Sequence, residues 1–231
     1  MKFTAIIPAS GKGLRMGSNT PKQFMPLDGK PVLYYSLRAF EMSPVDEVIL
    51  VTSPESIEFV KNNIVTKYGF KKVSKIVPGG AERYLSVYEG LMAADDADYV
   101  LIHDAARPLL DLSLITSCMN AVEKYDACVP FVPVADTIKI RTDNDFAETT
   151  PDRSMLCAIQ TPQCFKRSLL LDGYRSLKGN EGDCSKITDD ASVIELGLHK
   201  PVKLIPGNPR NRKLTTPEDF IFAEALLADC E

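Results

Sequence analysis

The chain reads Pro8-Ala9-Ser10-Gly11-Lys12-Gly13-Leu14-Arg15-Met16 and then, after a short gap, Pro21-Lys22-Gln23. A glycine-rich turn leaving a strand frees backbone N–H groups to face a polyphosphate, and the missing Cβ atoms allow close approach. Arg15 and Lys22 beside it are fixed cations, suited to neutralising charge that moves among phosphates when a nucleotidyl group is transferred. The turn is not a dinucleotide fingerprint, because Met16 stands where the third glycine belongs, and no Gly-Lys-Ser/Thr follows to make a P-loop. Taken without the rest of the chain, a plain strand-to-helix turn with exposed basic residues is an equal reading.

Asp104 ends the run Tyr99-Val100-Leu101-Ile102-His103, which has the pattern of a buried parallel strand, and ligands bind at the carboxyl ends of such strands. An unpaired carboxylate there is costly. Asp104 is therefore either a metal ligand or the structural partner of a cation such as Arg107. His103 reads as a core histidine bonded to backbone. Arg83 falls in the first turn of a helical stretch, where the dipole disfavours a cation, which tilts it from surface charge toward function. Arg153 taken alone is a solvated surface residue, although a guanidinium can hold phosphate through two parallel hydrogen bonds.

The elements that must position these groups alternate along the chain. Strand-like segments run from Thr4 to Pro8, Glu47 to Thr52, Lys72 to Val77, Tyr99 to His103, Cys128 to Val134 and Val202 to Pro206, with helical stretches near Val32 to Glu41, Pro54 to Tyr68, Glu82 to Ala93, Leu112 to Lys124, Lys166 to Leu177 and Pro217 to Leu227. Such alternation predicts an α/β fold of three layers, Rossmann-like, with a mainly parallel twisted sheet covered by helices. Ser53-Pro54 and Thr216-Pro217 each place a hydroxyl before a proline at a helix start. From Ala135 to Pro162 the alternation breaks into two extended segments around a polar turn, which reads as a projecting β-hairpin. A two-stranded ribbon is marginal alone in water, so the 135–162 arm packs either on a second subunit, making a homodimer, or back over its own domain. No internal repeat or linker divides the chain, and 1–231 reads as a single domain.

Composition excludes other classes. At 231 residues, 45% hydrophobic and 25% charged, the chain is neither disordered nor a disulfide miniprotein. Lys+Arg 27 against Asp+Glu 31 gives a net charge of −4, so no global attraction to nucleic acid or anionic lipid is expected and an anionic ligand needs a local basic cluster. No apolar run has membrane-spanning length and no signal peptide is visible. The six cysteines (Cys118, Cys128, Cys157, Cys164, Cys184, Cys230) form no C-x-x-C pair and read as reduced thiols of a cytoplasmic protein.

The string Gly11-x-Gly13-x-Arg15-Met16 with Pro21-Lys22-Gln23 resembles the signature loop of sugar-phosphate nucleotidyltransferases. Six further strings narrow the likeness: Gly79-Gly80-x-x-Arg83-x-x-Ser86-Val87-x-x-Gly90-Leu91, His103-Asp104-Ala105-Ala106-Arg107-Pro108, Pro133-Val134-x-Asp136-Thr137-Ile138-Lys139, Gln160-Thr161-Pro162-Gln163, Thr188-Asp189-Asp190-Ala191-Ser192 and Lys213-x-Thr215-x-Pro217-Glu218-Asp219. Together they are similar to the 2-C-methyl-D-erythritol 4-phosphate cytidylyltransferase family of non-mevalonate isoprenoid precursor synthesis.

The resemblance implies attack of a sugar-alcohol phosphate on the α-phosphorus of CTP, with Arg15, Lys22 and Lys213 as catalytic cations. It further implies Pro8, Ala9, Ser10, Gly11, Gly13, Gly80, Arg83, Ser86 and Asp104 around CTP, and Mg²⁺ or another divalent cation held by Asp104. Asp136, Thr137, Arg153, Thr161 and Thr188 are implied as contacts of methylerythritol phosphate. Two departures stand out. Ala9-Ser10 replaces an alanine pair, and Asn211-Arg212 replaces Asn-Ile, so Arg212 either joins the phosphates or turns to water. The rivals are a ribitol-5-phosphate cytidylyltransferase and a non-catalytic nucleotide-binding module.

Overall fold

The computed structural model describes residues 1–11, 20–179 and 186–228. Its elements are β1 (Phe3–Pro8), β2 (Pro26–Leu27), β3 (Lys30–Pro31), α1 (Val32–Met42), β4 (Glu47–Thr52), α2 (Ile57–Val60), β5 (Val73–Pro78), α3 (Arg83–Ala93), β6 (Tyr99–Ile102), α4 (Leu112–Tyr125), β7 (Ala127–Pro133), β8 (Ile140–Arg141), β9 (Ala147–Thr149), β10 (Cys157–Ile159), β11 (Gln163–Lys166), α5 (Arg167–Gly179), α6 (Asp190–Leu198), β12 (Lys203–Pro206) and α7 (Pro217–Ala228).

Alternate residues of the central strands feed opposite cores. Phe3, Ala5 and Ile7 of β1, Val48 and Leu50 of β4, and Leu101 of β6 face one side, where Leu33, Leu37 and Phe40 of α1 and Leu114, Ile115 and Val122 of α4 cover them. Ile6, Ile49, Val51, Val100 and Ile102 face the other side, under Val87 and Leu91 of α3, Leu170 and Tyr174 of α5, and Val193 and Ile194 of α6. A sheet buried on both faces reads as continuous apolar runs, which is how these strands were legible. The expected three-layer α/β fold is the one observed.

The eight-stranded sheet runs β10-β7-β11-β6-β1-β4-β5, with β12 beside β7. Pairings β1·β4, β1·β6, β4·β5 and β7·β12 are parallel. The short β11 and β10 enter antiparallel, β11 between β6 and β7. An extended segment ending at Ile159 was expected, but as one arm of a hairpin and not paired with β7; β11 and α6 were not expected.

Three local expectations are corrected. The Ser53 hydroxyl donates to the Ser56 hydroxyl at 2.9 Å and caps no backbone N–H. At α7 the acceptor is the Asp219 carboxylate, which takes the N–H groups of Thr215 at 2.8 Å and Thr216 at 2.9 Å. The 135–162 arm is a ribbon only over β8 and β9, turning at Asp145 with φ +64°. Beyond it, β10 returns to the main sheet against Phe131–Pro133. The arm's Ile138, Ile140 and Phe146 are exposed, Phe146 at 74%. Cys118, Cys128, Cys157 and Cys164 carry free thiols, and among the described residues no helix is long and apolar enough to cross a membrane.

Candidate active site

β1, β4, β5 and β6 are mutually parallel neighbours, so their carboxyl ends lie along one edge of the sheet, where an open α/β sheet binds ligands. A cleft of about 870 Å³ opens there, lined by 8–11 at the end of β1, 53–55 after β4, 79–83 after β5, Asp104 after β6, and by Lys22 and Lys213. The edge is held by backbone bonds that extend the strands: Ala9 N–H to Val51 carbonyl at 2.7 Å and Gly79 N–H to Thr52 carbonyl at 2.8 Å. Gln23, 4% exposed, donates to the carbonyls of Ala9 at 2.6 Å and Gly11 at 3.0 Å and so fixes the first loop where it enters the cleft.

Gly79 has a steric role. A Cβ there would lie 2.7 Å from the Ser86 oxygen and 2.9 Å from Ser10, whose two hydroxyls bond one another at 2.9 Å. Ser10, one of the two departures from the family pattern, thereby ties the first loop to α3. At Gly80 a Cβ would strike Leu85 at 2.4 Å, while among the described residues nothing stands within 4 Å of one at Gly11.

Asp104 sits at the cleft floor with its side chain 11% exposed, and its partners are Arg83 Nε at 2.9 Å and Lys213 Nζ at 2.7 Å. Burial would raise its pKa, but Arg83 and then Lys213 outweigh burial and hold the carboxyl well below the usual range. Arg107, the partner weighed from sequence, points elsewhere: it donates to the carbonyls of Asn211 at 2.8 Å and Ile159 at 3.3 Å. Asn211, fully buried, donates to the Thr161 carbonyl at 2.7 Å, and the Leu214 N–H reaches the Ala106 carbonyl at 2.8 Å. These bonds lay the 211–215 segment along the strand end. Lys22 completes the join by donating to the Leu214 carbonyl at 3.0 Å, which brings cations from two distant stretches of sequence to one edge.

His103 is fully buried, with Nε2 on the Arg107 carbonyl at 3.1 Å and Nδ1 on the Thr161 hydroxyl at 2.9 Å. That hydroxyl also accepts the Asp104 N–H at 3.2 Å. Thr161 is therefore spent on fixing the strand end. Burial depresses the His103 pKa to about 4.

The other expected residues fall as follows. Arg15 and Gly13 lie outside the described residues. Pro8, Ala9, Ser10, Gly11, Gly80, Arg83 and Asp104 line the cleft with Lys22 and Lys213. Ser86 stands behind them through Ser10. Asp136, Thr137 and Thr188 are exposed and do not line it; neither does Arg153, which donates to the Ala135 carbonyl at 3.0 Å. Arg212 turns outward, its guanidinium 3.5 Å from Asp219 and over the Phe222 ring at 4.9 Å. Gln23, Gly79, Asn211 and Asp190 were given no role from sequence, although all four lie inside or beside the quoted strings.

A parallel-sheet edge carrying a glycine loop and converging cations belongs to an α/β nucleotidyltransferase. A solved 4-diphosphocytidyl-2C-methyl-D-erythritol synthase from Anaerococcus prevotii matches the fold with a TM-score of 0.83 and 34% identity over 98% of both chains. A 2-C-methyl-D-erythritol 4-phosphate cytidylyltransferase from Thermus thermophilus matches with a TM-score of 0.79 and 29% identity, covering 99% of this chain and 100% of the other. Residues 3–229 match the family model described as 2-C-methyl-D-erythritol 4-phosphate cytidylyltransferase. A protein of that name from Lachnoclostridium phytofermentans is 47% identical over 228 residues, 99% of this chain and 97% of its own. The chain belongs to this family and is a cytidylyltransferase of isoprenoid biosynthesis, rather than a ribitol-5-phosphate cytidylyltransferase or a non-catalytic binding module.

Proposed function

We propose that the cleft transfers the cytidylyl group of CTP to 2-C-methyl-D-erythritol 4-phosphate, giving 4-diphosphocytidyl-2-C-methyl-D-erythritol and pyrophosphate. The observation that carries this reading is the convergence of Lys22 and Lys213 on the strand edge beside Asp104. A phosphate oxygen of the acceptor forms the new bond to the α-phosphorus while the bond to the pyrophosphate oxygen breaks. A phosphate monoester is already a nucleophile near neutral pH, so no covalent enzyme intermediate is needed. What the protein supplies is position and positive charge where negative charge accumulates. Lys22 and Lys213 supply it from the described residues, and Arg15 joins them by family likeness.

The donor set also fits a divalent cation such as Mg²⁺. That ion takes hard oxygen ligands, commonly one or two carboxylates plus substrate phosphates. Asp104 is held ionised at the cleft floor, and each of its oxygens keeps a second lone pair beyond its bond to Arg83 or Lys213. Bound there, the ion would neutralise charge on the phosphates.

Asp136, Thr137 and Arg153 stand away from this chain's own cleft, on or beside an exposed arm that also presents Ile138, Ile140 and Phe146 to solvent. That placement supports a homodimer in which the arm carries them to the partner's cleft, where they would contact methylerythritol phosphate. We place the enzyme in the cytoplasm, with no nucleic-acid or membrane partner. Pyrophosphate release should be fastest with CTP and methylerythritol phosphate; faster release with ribitol phosphate, or with UTP as donor, would overturn the reading.

A further inference from the structure

Thr188-Asp189-Asp190-Ala191-Ser192 leaves most of its residues without an expected role, yet Asp190 occupies a buried junction behind the cleft-lining Arg83. Its side chain is 1% exposed and accepts Nη1 of Arg83 at 3.0 Å and Nη2 at 2.8 Å, a bidentate pair. The third edge of the same guanidinium, Nε, goes to Asp104 Oδ1 at 2.9 Å. Asp190 is itself held from the sheet. Gln163 Oε1 accepts the N–H groups of Asp190 and Ala191 at 2.9 Å each, and Gln163 Nε2 donates to Asp189 at 2.8 Å. Gln163 pairs in register with Ile102 of β6, two residues before Asp104. The bonds therefore close a ring from β6 through β11, α6 and α3 back to the end of β6.

A guanidinium is planar and rigid, so fixing both Nη groups also fixes the direction of Nε–H. Two carboxylates, Asp104 and Asp190, face two cations, Arg83 and Lys213, and Arg83 is shared. Without the Asp190 charge, the strongest pairing open to Arg83 is a two-nitrogen fork onto Asp104. That fork would take the oxygen that now holds Lys213.

We propose that Asp190 is a positioning residue for nucleotidyl transfer: by clamping both Nη groups of Arg83 it restricts Arg83 to one Nε bond with Asp104 and keeps the second Asp104 oxygen for Lys213. The proposal rests on the reading of this cleft as the cytidylyl-transfer site.

Asp190→Asn removes the charge with little change of shape. Misplacing Lys213 should lower kcat about 10- to 100-fold while the KM for CTP stays within about threefold. In an Arg83→Met background the same change should add less than about a twofold loss, because Asp190 acts only through Arg83. Losses that multiply across the two sites, or a wild-type kcat for Asp190→Asn, overturn the proposal. Removing one member of a buried ion pair can unfold a chain, so a second measurement uses the wild-type protein. Nitrogen-15 NMR should show the Arg83 Nη groups as separate resonances with slow rotation about Nε–Cζ. An active enzyme in which Arg83 rotates freely overturns the clamp alone. A rigid Arg83 in a chain that makes no pyrophosphate from CTP and methylerythritol phosphate overturns the proposed function, and the catalytic sense of the clamp with it.

Discussion

Replacing His103 with asparagine tests how the strand end that carries Asp104 is held. The wild-type ring is fully buried, accepting from the Thr161 hydroxyl at Nδ1 and donating to the Arg107 carbonyl from Nε2, which is the neutral tautomer this network requires. Protonating Nδ1 takes away the acceptor of the Thr161 hydroxyl and places a charge in the core. Burial accordingly depresses the pKa from 6.5 to about 4. With the folded pKa below the unfolded one, the folded state binds fewer protons. The stability contribution is complete above about pH 6.5, declines as the pH falls, and is exhausted near pH 4. At about 1.4 kcal/mol per pH unit the full effect is about 3 kcal/mol, a large share of the 5–15 kcal/mol typical of a domain. Urea unfolding at steps from about pH 7.5 to about pH 4.5 measures it. His103→Asn should be less stable at neutral pH yet lose about 2–3 kcal/mol less than wild type across that range. Asp190 and Glu195, whose pKa values are raised by burial, oppose acid destabilisation in both proteins and cancel from the difference. Parallel stability curves for the two proteins would refute the reasoning.

Four further outcomes are expected. Lys22→Ala should lower kcat by roughly 10²-fold or more with a modest change in the KM for CTP, since the charge it faces grows as pyrophosphate departs; a rise in KM alone would make it a ground-state binder. Gly79→Ala, whose Cβ must part the Ser10 and Ser86 hydroxyls, should raise the KM for CTP about tenfold at nearly unchanged urea midpoint, as steady-state kinetics and unfolding together would show. Arg212→Ile should keep wild-type activity in the pyrophosphate assay, because its guanidinium lies over Phe222 beside Asp219; a large loss with normal folding would place it at the phosphates. Lys22→Ala and Arg153→Ala proteins, each nearly inactive, should recover about a quarter of wild-type activity when subunits exchange, since half the dimers then hold one intact site of two. Continued inactivity, with exchange confirmed by tagged-subunit pull-down, would show that Arg153 serves its own chain.

The frame of the fold was legible because its central strands are apolar on both faces and its helices keep a regular stripe, as in α1 with Leu33, Leu37 and Phe40. The antiparallel strand inside the main sheet, β11, was not. β11 is only Gln163–Lys166, and its Gln163 is buried for its hydrogen bonds, so no apolar run marks it. α6 opens on a capping box whose N3 residue is Ser192 in place of the usual Glu or Gln, which hid its start. In the candidate site, Arg15, Lys22 and Asp104 could be named from residue type and strand position, and Lys213 only through the family resemblance. Their pairing could not: Arg83 and Lys213 reach Asp104 only because α3 and the 211–215 segment fold onto the end of β6, and sequence spacing says nothing of that approach.

β1 lies between β4 and β6, so a strand made before both of its neighbours becomes an interior strand of the finished sheet. On the ribosome its Ala5-Ile6-Ile7 stretch has no partner on one side until Thr52 is complete, and none on the other until Ile102 is. At about 5–20 residues per second the second wait lasts roughly 5–20 s. Throughout it, at least one edge of an apolar strand stays open to pair with a neighbouring nascent chain. Recovery of soluble enzyme should therefore depend on elongation rate and on chaperones that shield the first hundred or so residues, a vulnerability invisible in the stability of the finished protein.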